Sequence, residues 1–258
     1  MPEFVTNRMK KLLAEKKVNF GMWISLTDSD VVDALGRVGF DWFVFDTEHS
    51  PLNTQIIQKL IQPLSSTTVS PLVRVAWNDP VLIKLALDVG AEGVVVPWVN
   101  TAEEAEKAVK ACLYPPQGIR GFGPRRAIAY GFDPSYIKRA NDSIAVIVQI
   151  ETEKAIKNAR DILSVKGIDG YFIGPYDLSW SLGVPGDFES EKFKKAIDDV
   201  LKAGKQADKA GGIWTDDPKT AIKRIKQGFK MIDCSDDLAM MIGAAKEWLN
   251  LVKKEAKD

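Results

Sequence analysis

The chain has 258 residues, of which 45% are hydrophobic, and its 35 basic residues balance its 35 acidic ones. This length and apolar content suffice for a complete core, and zero net charge provides no global field to attract nucleic acid or a membrane surface. The two cysteines, Cys112 and Cys234, lie far apart without metal-binding spacing, which indicates reduced thiols in an intracellular protein.

No segment reaches the run of about 18 uncharged apolar residues that a membrane-spanning helix needs. The N-terminal stretch MPEFVTNRMKKLLAEKK follows an amphipathic helical pattern and is too charged for a secretory signal. We therefore expect a cytoplasmic protein.

Eight short apolar runs recur along the chain and are predicted to be β-strands. Most are rich in Val, Ile and aromatic residues, and several lack polar alternation, which is typical of parallel strands buried on both faces. The predicted strands are Phe20–Leu26, Trp42–Glu48, Pro71–Val75, Gly93–Val99, Ile144–Glu151, Gly170–Gly174, Gly211–Trp214 and Lys230–Cys234.

Helical patterns lie between these runs. Asp79 followed by Pro80 is typical of a helix start, and Thr101 followed by Glu104 has the spacing of a capping box. The predicted helices are Asp28–Arg37, Thr54–Ser65, Pro80–Val89, Thr101–Leu113, Glu153–Leu163, Glu189–Ala210, Pro218–Gln227 and Leu238–Lys254.

Strand and helix alternate eight times without a linker rich in Gly, Ser or Pro. This pattern predicts the α/β class and a single (β/α)8 TIM barrel domain over residues 1–258. The alternative is an open doubly wound sheet, which usually carries a Gly-rich phosphate loop after its first strand. Here the first strand continues into SLTDSD, which favours the barrel.

The segment Tyr114–Asp133 interrupts the alternation and is dense in Gly, Pro and Arg. Loops of this length in compact domains are usually functional or disordered. Its arginines, Arg120, Arg125 and Arg126, are candidates for binding an anion or a neighbouring subunit, with a solvated role as the alternative.

Polar residues gather at the carboxyl ends of the predicted strands, which is where catalytic groups of (β/α)8 barrels lie. The second strand ends in Asp46, Glu48 and His49, and the third carries Arg74 near its end. The remaining residues of this set are Gln149 and Glu151 on the fifth strand and Asp177 just after the sixth.

Glu151 and Asp177 are the candidate metal pair, because two carboxylates completed by waters and substrate oxygens suit a hard divalent ion. Alternatively, Glu151 favours the dipole of the helix that follows, and Asp177 is a helix N-cap. His49 is the only histidine, and it is a candidate for proton transfer or a residue satisfied in its loop.

Arg74 could place positive charge where negative charge develops on a substrate, or form a salt bridge to Asp46 or Glu48. Trp23 on the first strand could line the same mouth of the barrel or simply fill its core.

At these residues the sequence resembles the HpcH/HpaI aldolase family, the metal-dependent class II pyruvate aldolases. The resemblance is carried, from about residue 20 to residue 183, by FDWFVFDTEHSPLN, PLVRVAWNDP, VGAEGVVVPWVNTAEEAEKAV, YPPQGIRGFGP, VIVQIETEKAIKN and GIDGYFIGPYDLS. After Gly183 the match is weaker.

The resemblance implies that Glu151 and Asp177 are the metal ligands, for Mg2+, Mn2+ or Co2+. His49 would be the active-site histidine, with Asp46 as its orienting partner and Glu48 nearby.

The resemblance also implies that Arg74 contacts the keto oxygen of pyruvate. Gln149 belongs to the QIE motif, Trp23 to the pocket wall, and the backbone around Gly174–Asp177 would hold the pyruvate carboxylate. Tyr176 replaces the small residue of many family members, which leaves the shape of the pocket open.

The implied activity is reversible aldol cleavage of 4-hydroxy-2-oxoacids to pyruvate, or a related 2-oxoacid, and an aldehyde through a metal-stabilised enolate. The implied assembly is a homo-oligomer, a hexamer built as a trimer of dimers that exchange the C-terminal helix. The alternatives are an oxaloacetate decarboxylase or citrate-lyase-like lyase, and a non-catalytic sugar-acid binding protein.

Overall fold

A computed structural model describes residues 7–256, and eight parallel strands in it close into a barrel in chain order. The last strand pairs with the first, which confirms the predicted (β/α)8 architecture. The strands are β1 (Asn19–Ile24), β2 (Trp42–Asp46), β3 (Ser70–Arg74), β4 (Gly93–Val96), β5 (Ala145–Gln149), β6 (Gly170–Ile173), β7 (Ala210–Ile213) and β8 (Met231–Asp236).

Helices cover the outside of the barrel and close one end. They are α1 (Arg8–Glu15), α2 (Ser29–Leu35), α3 (Thr54–Ile61), α4 (Pro80–Asp88), α5 (Ala102–Cys112), α6 (Tyr136–Arg139), α7 (Glu153–Lys157), α8 (Ala159–Ser164), α9 (Pro175–Ser181), α10 (Glu191–Gln206), α11 (Pro218–Gln227) and α12 (Asp237–Glu255). The N-terminal amphipathic pattern is helical in α1, and its first six residues lie outside the described part of the chain.

The helix starts predicted at Asp79 and Thr101 are present, and both side chains form N-cap hydrogen bonds. Asp79 accepts hydrogen bonds from the amides of Val81 and Leu82 at 2.8 and 3.2 Å. Thr101 accepts one from the amide of Glu104 at 3.2 Å. Both helices therefore begin where the sequence predicts.

The predicted helix Glu153–Leu163 is divided in two. Asn158 separates α7 from α8, and its side-chain amide donates to the carbonyl of Asn100 at 2.8 Å. The short helices α6 and α9 were not predicted, because four and seven residues are too few for a clear helical period.

Apolar side chains form two layers, one between strands and helices and one inside the barrel. The inner layer is built around Trp42, Phe172 and Leu72, and Met9 and Leu13 of α1 plug its amino end. Gly21 is required next to this layer, because a Cβ there would lie 2.0 Å from the ring of Trp42. The inner layer forms a solid floor beneath the carboxyl end of the barrel.

The arginines of the long segment do not join the barrel mouth. Arg120 is 2% exposed, stacks 4.6 Å from the ring centroid of Tyr114 and donates to Asp88 at 2.6 Å. Arg126 donates to Ser65 at 3.1 Å, and Arg125 is exposed. Arg120 therefore holds the loop, and its prediction as an anion or subunit contact is wrong.

Both cysteines are free thiols, with Cys112 buried and Cys234 half-buried. Within residues 7–256, no helix has the length and apolar character needed to cross a membrane.

Candidate active site

A cavity of about 490 Å³ opens at the carboxyl end of the barrel. Its lining combines strand ends and the loops that follow them, as expected for this fold. The lining residues are Trp23, Ser25, Asp46, His49, Ser50, Arg74, Gln149, Phe172, Gly174, Pro175, Tyr176, Asp177, Trp214 and Asp236.

Arg74 lies between two carboxylates from the second strand and its loop. Its Nε and Nη2 donate to Oδ1 and Oδ2 of Asp46 at 2.9 and 2.8 Å, and its Nη1 lies 3.2 Å from Oε2 of Glu48. The salt-bridge interpretation of Arg74 is therefore confirmed, and the same side chain also lines the cavity.

The charges of Arg74, Asp46 and Glu48 shift the pKa values of the two carboxyl groups. Burial alone would raise the pKa of Asp46, but the hydrogen bonds and charge of Arg74 lower it overall. Burial raises the pKa of Glu48, since it outweighs the attraction of Arg74 and His49. Asp46 is thus the fixed partner of Arg74, while Glu48 carries a carboxyl group that gains protons more readily.

His49 lies at the rim of the cavity, and its side chain is 63% exposed. Its backbone amide donates to Oδ1 of Asp46 at 3.4 Å, while its Nε2 lies 3.8 Å from Oε1 of Glu48. The loop after β2 folds back over Asp46 so that backbone amides, rather than the imidazole, meet that carboxylate. The expected side-chain pair of His49 with Asp46 is therefore replaced here by a contact with Glu48.

Glu151 is 1% exposed and is held on both carboxylate oxygens. The backbone amide of Trp98 donates to Oε1 at 2.7 Å, and Nε2 of Gln149 donates to Oε2 at 2.7 Å. Burial raises the pKa of Glu151 to about 8, and the charges of Asp177 and Glu48 add to that rise. Two neutral donors thus orient Glu151, and its raised pKa reflects its burial first and the neighbouring carboxylates second.

Asp177 lies beside Glu151 at the start of α9. A Cβ on Gly174 would lie 2.9 Å from Oε2 of Glu151 and 3.6 Å from Oδ2 of Asp177, so the two carboxylates border one glycine. The N-cap of α9 is Gly174 and that of α7 is Thr152. The N-cap interpretation of Asp177 is therefore wrong.

This corner fits a divalent cation. Glu151 and Asp177 supply only oxygen ligands, the absence of a side chain on Gly174 leaves space, and Oε1 of Gln149 is buried without a hydrogen-bond partner. In the described range 7–256, no group of three or more His, Cys, Asp or Glu side chains is arranged for a metal. Waters and substrate oxygens would complete such a site.

Aromatic rings form the floor and one wall. Trp23 packs 4.7 Å from Phe172 between centroids, and the guanidinium of Arg74 lies 5.6 Å from its ring. Trp23 thus both fills the core and lines the mouth. Tyr176 stands in the wall, 5.4 Å from Trp214.

Sequence reasoning missed several residues at the site. Trp214 directly follows β7 and Asp236 ends β8, so the rule that selected Arg74 could have found both. Trp98 contributes a backbone amide to Glu151 from a φ of 56°, and no residue-type signal could have revealed that contact.

The chain is similar in sequence to a known protein family over most of its length. The family model described as HpcH/HpaI aldolase/citrate lyase matches residues 19–244. The chain belongs to this family. The 4-hydroxy-2-oxo-heptane-1,7-dioate aldolase of Shigella flexneri is 39% identical over 242 residues, 93% of this chain and 91% of that protein.

Solved structures agree with the assignment. A HpcH/HpaI aldolase/citrate lyase family protein from Burkholderia cenocepacia J2315 superposes with a TM-score of 0.93 at 33% identity, covering 96% of this chain and 100% of that one. Citrate synthase SbnG superposes with a TM-score of 0.86 at 26% identity, covering 97% and 99%. The protein is therefore a carbon–carbon lyase of the aldolase type.

Proposed function

We propose that the protein is a divalent-metal-dependent class II aldolase that reversibly cleaves 4-hydroxy-2-oxoacids to pyruvate, or a related 2-oxoacid, and an aldehyde. The observation that carries the proposal is the meeting of Glu151 and Asp177 at Gly174, in one cavity with Arg74. The relative from Shigella flexneri, named for a 4-hydroxy-2-oxoacid substrate, supports the substrate class.

Glu151 and Asp177 would hold the ion, which we propose to be Mg2+, Mn2+ or Co2+. Such an ion supplies Lewis acidity at the carbonyl group of the 2-oxoacid. Trp98 and Gln149 keep the carboxylate of Glu151 in one orientation through their hydrogen bonds. This holds the ligand in place before the substrate arrives.

Arg74 would stabilise the negative charge that develops on the keto oxygen after proton loss from the adjacent methyl group. Its guanidinium is fixed by Asp46 and Glu48 and is 8% exposed, so it can act in a region with little water. The backbone amides around Gly174–Asp177 would bind the carboxylate of the 2-oxoacid.

His49 would carry protons between the cavity and solvent. Its exposed imidazole lies next to the carboxyl group of Glu48, and Asp46 holds its backbone. In the cleavage direction this relay would remove the proton of the 4-hydroxyl group and return a proton to the methyl carbon.

We further propose that the protein is a homo-oligomer, a hexamer of the trimer-of-dimers kind in which the C-terminal helix packs on another subunit. In α12 every residue after Asp237 is exposed, including the apolar Met241, Trp248 and Leu251. An exposed apolar helix face of this length favours burial against another chain.

The experiment that tests the function follows exchange of the methyl protons of pyruvate with deuterium by NMR. Exchange and aldol cleavage should stop after treatment with EDTA and return with Mg2+, Mn2+ or Co2+, because acidification of the methyl group needs the ion. Full activity in a sample shown to be metal-free would contradict the proposal.

A second candidate is supported by the superposition on citrate synthase SbnG, which is named for a different carbon–carbon bond reaction. Oxaloacetate decarboxylase or citrate-lyase-like activity would use the same residues. Comparing turnover of oxaloacetate and citrate with turnover of a 4-hydroxy-2-oxoacid distinguishes the two candidates. Binding of sugar acids without turnover of any of these compounds would point to the non-catalytic alternative.

A further inference from the structure

One half of the cavity is not used by the chemistry proposed above. It is bordered by Tyr176, Trp214, Asp236 and Ser25. We propose that this half receives the aldehyde and selects uncharged aldehydes that carry hydroxyl groups over aldehydes that end in a carboxylate. The inference rests on the proposed function, and it specifies the class of the second substrate.

The wall of this half is aromatic and rigid. Tyr176 meets Trp214 at 5.4 Å and Phe188 at 5.1 Å between centroids, both edge to face. Phe188 in turn packs 5.2 Å from Phe193, a fully buried residue in the first turn of α10. This chain of rings fixes an apolar surface against which the carbon chain of a small aldehyde can pack.

The polar groups of this half favour hydroxyl groups. Oγ of Ser25 already donates its proton to Asp237 at 2.7 Å, so its lone pairs remain to accept a hydrogen bond. Asp236 accepts from the amide of Ala239 through Oδ1, and its carboxylate contributes only acceptors. A substrate hydroxyl can donate to either group, whereas a carboxylate can donate to neither.

The charges of the cavity also oppose a second carboxylate. Arg74 is the one lysine or arginine of the lining within residues 7–256, and Asp46 and Glu48 already occupy its guanidinium. Asp236 adds negative charge on the aldehyde side, and Asp177 of the proposed metal site adds negative charge to the same cavity. Even with a divalent ion bound, a carboxylate at the far end of the aldehyde would meet net repulsion.

This selection differs from the one that the name of the Shigella flexneri relative implies. Cleavage of 4-hydroxy-2-oxo-heptane-1,7-dioate releases an aldehyde that ends in a carboxylate. The comparison therefore supplies a direct probe, the four-carbon aldehyde succinic semialdehyde, and its uncharged methyl ester as the matched compound.

The experiment measures kcat/KM for the addition of pyruvate to each aldehyde, with the metal-loaded, full-length protein. The methyl ester should exceed succinic semialdehyde by at least about tenfold, since like charges are costly in a recognition site. Glyceraldehyde should exceed propanal, which has the same carbon chain without hydroxyl groups. Equal or reversed preference in either pair would overturn the inference.

A pair of variants assigns the effect to Asp236. Asp236→Asn keeps the N-cap of α12, because Asn caps helices as well as Asp does. It should reduce the preference for the ester about threefold or more, because one repulsive charge is lost. Asp217→Asn removes the same charge from the N-cap of α11, outside the cavity lining, and should leave the ratio unchanged. Identical ratios in both variants would contradict the role of Asp236.

Deuterium exchange into pyruvate separates this inference from the proposed function, because exchange needs no aldehyde. Metal-dependent exchange together with a preference for succinic semialdehyde would overturn the inference alone. Absence of exchange would overturn the proposed function itself.

Discussion

The two ends of the barrel treat charge differently. At the amino end, α1 closes the barrel with Met9 and Leu13, and its cations meet carboxylates: Arg8 lies 2.6 Å from Asp41, and Lys10 lies 3.4 Å from Asp169. At the carboxyl end Arg74 forms salt bridges with two carboxylates, those of Asp46 and Glu48. By contrast, Glu151 and Asp177 contact no lysine or arginine among the described residues.

This difference distinguishes the amino end, where ion pairs support stability, from the carboxyl end, where the candidate active site lies. At the amino end two cations of α1, Arg8 and Lys10, each have a carboxylate partner within the chain. At the carboxyl end Glu151 and Asp177 are oriented by neutral donors and a short helix, which costs folding energy until a positive charge arrives. The comparison predicts that removing a carboxylate charge from the metal-free protein raises its stability at the carboxyl end and lowers it at the amino end.

The largest expected effect concerns metal affinity. Asp177→Asn should weaken Mn2+ binding by at least about a hundredfold, since loss of even indirect support for a metal ligand costs about tenfold to a hundredfold. Isothermal titration calorimetry on metal-free protein measures it. Asp41→Asn makes the same change at the amino end and should leave Mn2+ affinity unaltered. Wild-type affinity in Asp177→Asn would remove Asp177 from the metal site.

The next effect concerns stability without metal. The pKa of Glu151 rises from 4.5 to about 8 on folding, so its ionisation destabilises the folded protein. This cost is absent below about pH 4.5, grows as the pH rises, and is complete above about pH 8. Metal-free Glu151→Gln should therefore be more stable than wild type by roughly 5 kcal/mol at pH 8.5, with little difference at pH 4.5.

Urea unfolding at the two pH values measures this difference. In the Glu151→Gln variant the new amide can keep the hydrogen bond from Trp98, and rotation of the Gln149 amide restores the other, so the variant isolates the charge. Asp41→Asn, which breaks an ion pair with Arg8, should instead reduce stability slightly at pH 8.5. A Glu151→Gln protein less stable than wild type at pH 8.5 would contradict the comparison.

The smallest expected effect is that of His49→Ala. Deuterium exchange into pyruvate should slow by about tenfold, which is less than the loss of about a hundredfold or more that is typical for a general acid or base. The effect is small because the imidazole lies in solvent, where water can replace part of its role. Mn2+ affinity should stay within about twofold of wild type, because His49 is not a ligand in the proposed site. A large loss of metal affinity would make His49 a ligand.

The sequence predicted the architecture well because it repeats a simple physical pattern. Each of the eight apolar runs overlaps one strand, and the barrel closes in chain order. Helix starts at Asp79 and Thr101 follow from local hydrogen bonds that need no tertiary information. The split at Asn158 was missed because it depends on a contact with the distant Asn100.

The site divides in the same way. Residue type and strand position were enough to select Arg74, Gln149, Glu151 and Asp177, and all four lie at one end of the barrel. The orientation of His49 was not predictable, because two backbone amides and Arg74 compete for Asp46.

The sequence by itself therefore determined the barrel, the mouth at which polar groups gather and the carboxylates beside Gly174. Periodicity and strand ends are local properties of the chain. Only the tertiary structure decided which groups pair: Arg74 with Asp46, Glu151 with the amide of Trp98, and Tyr176 with Trp214. Such pairs join different strands and loops, and their choice depends on distance, burial and competition for partners rather than on residue type.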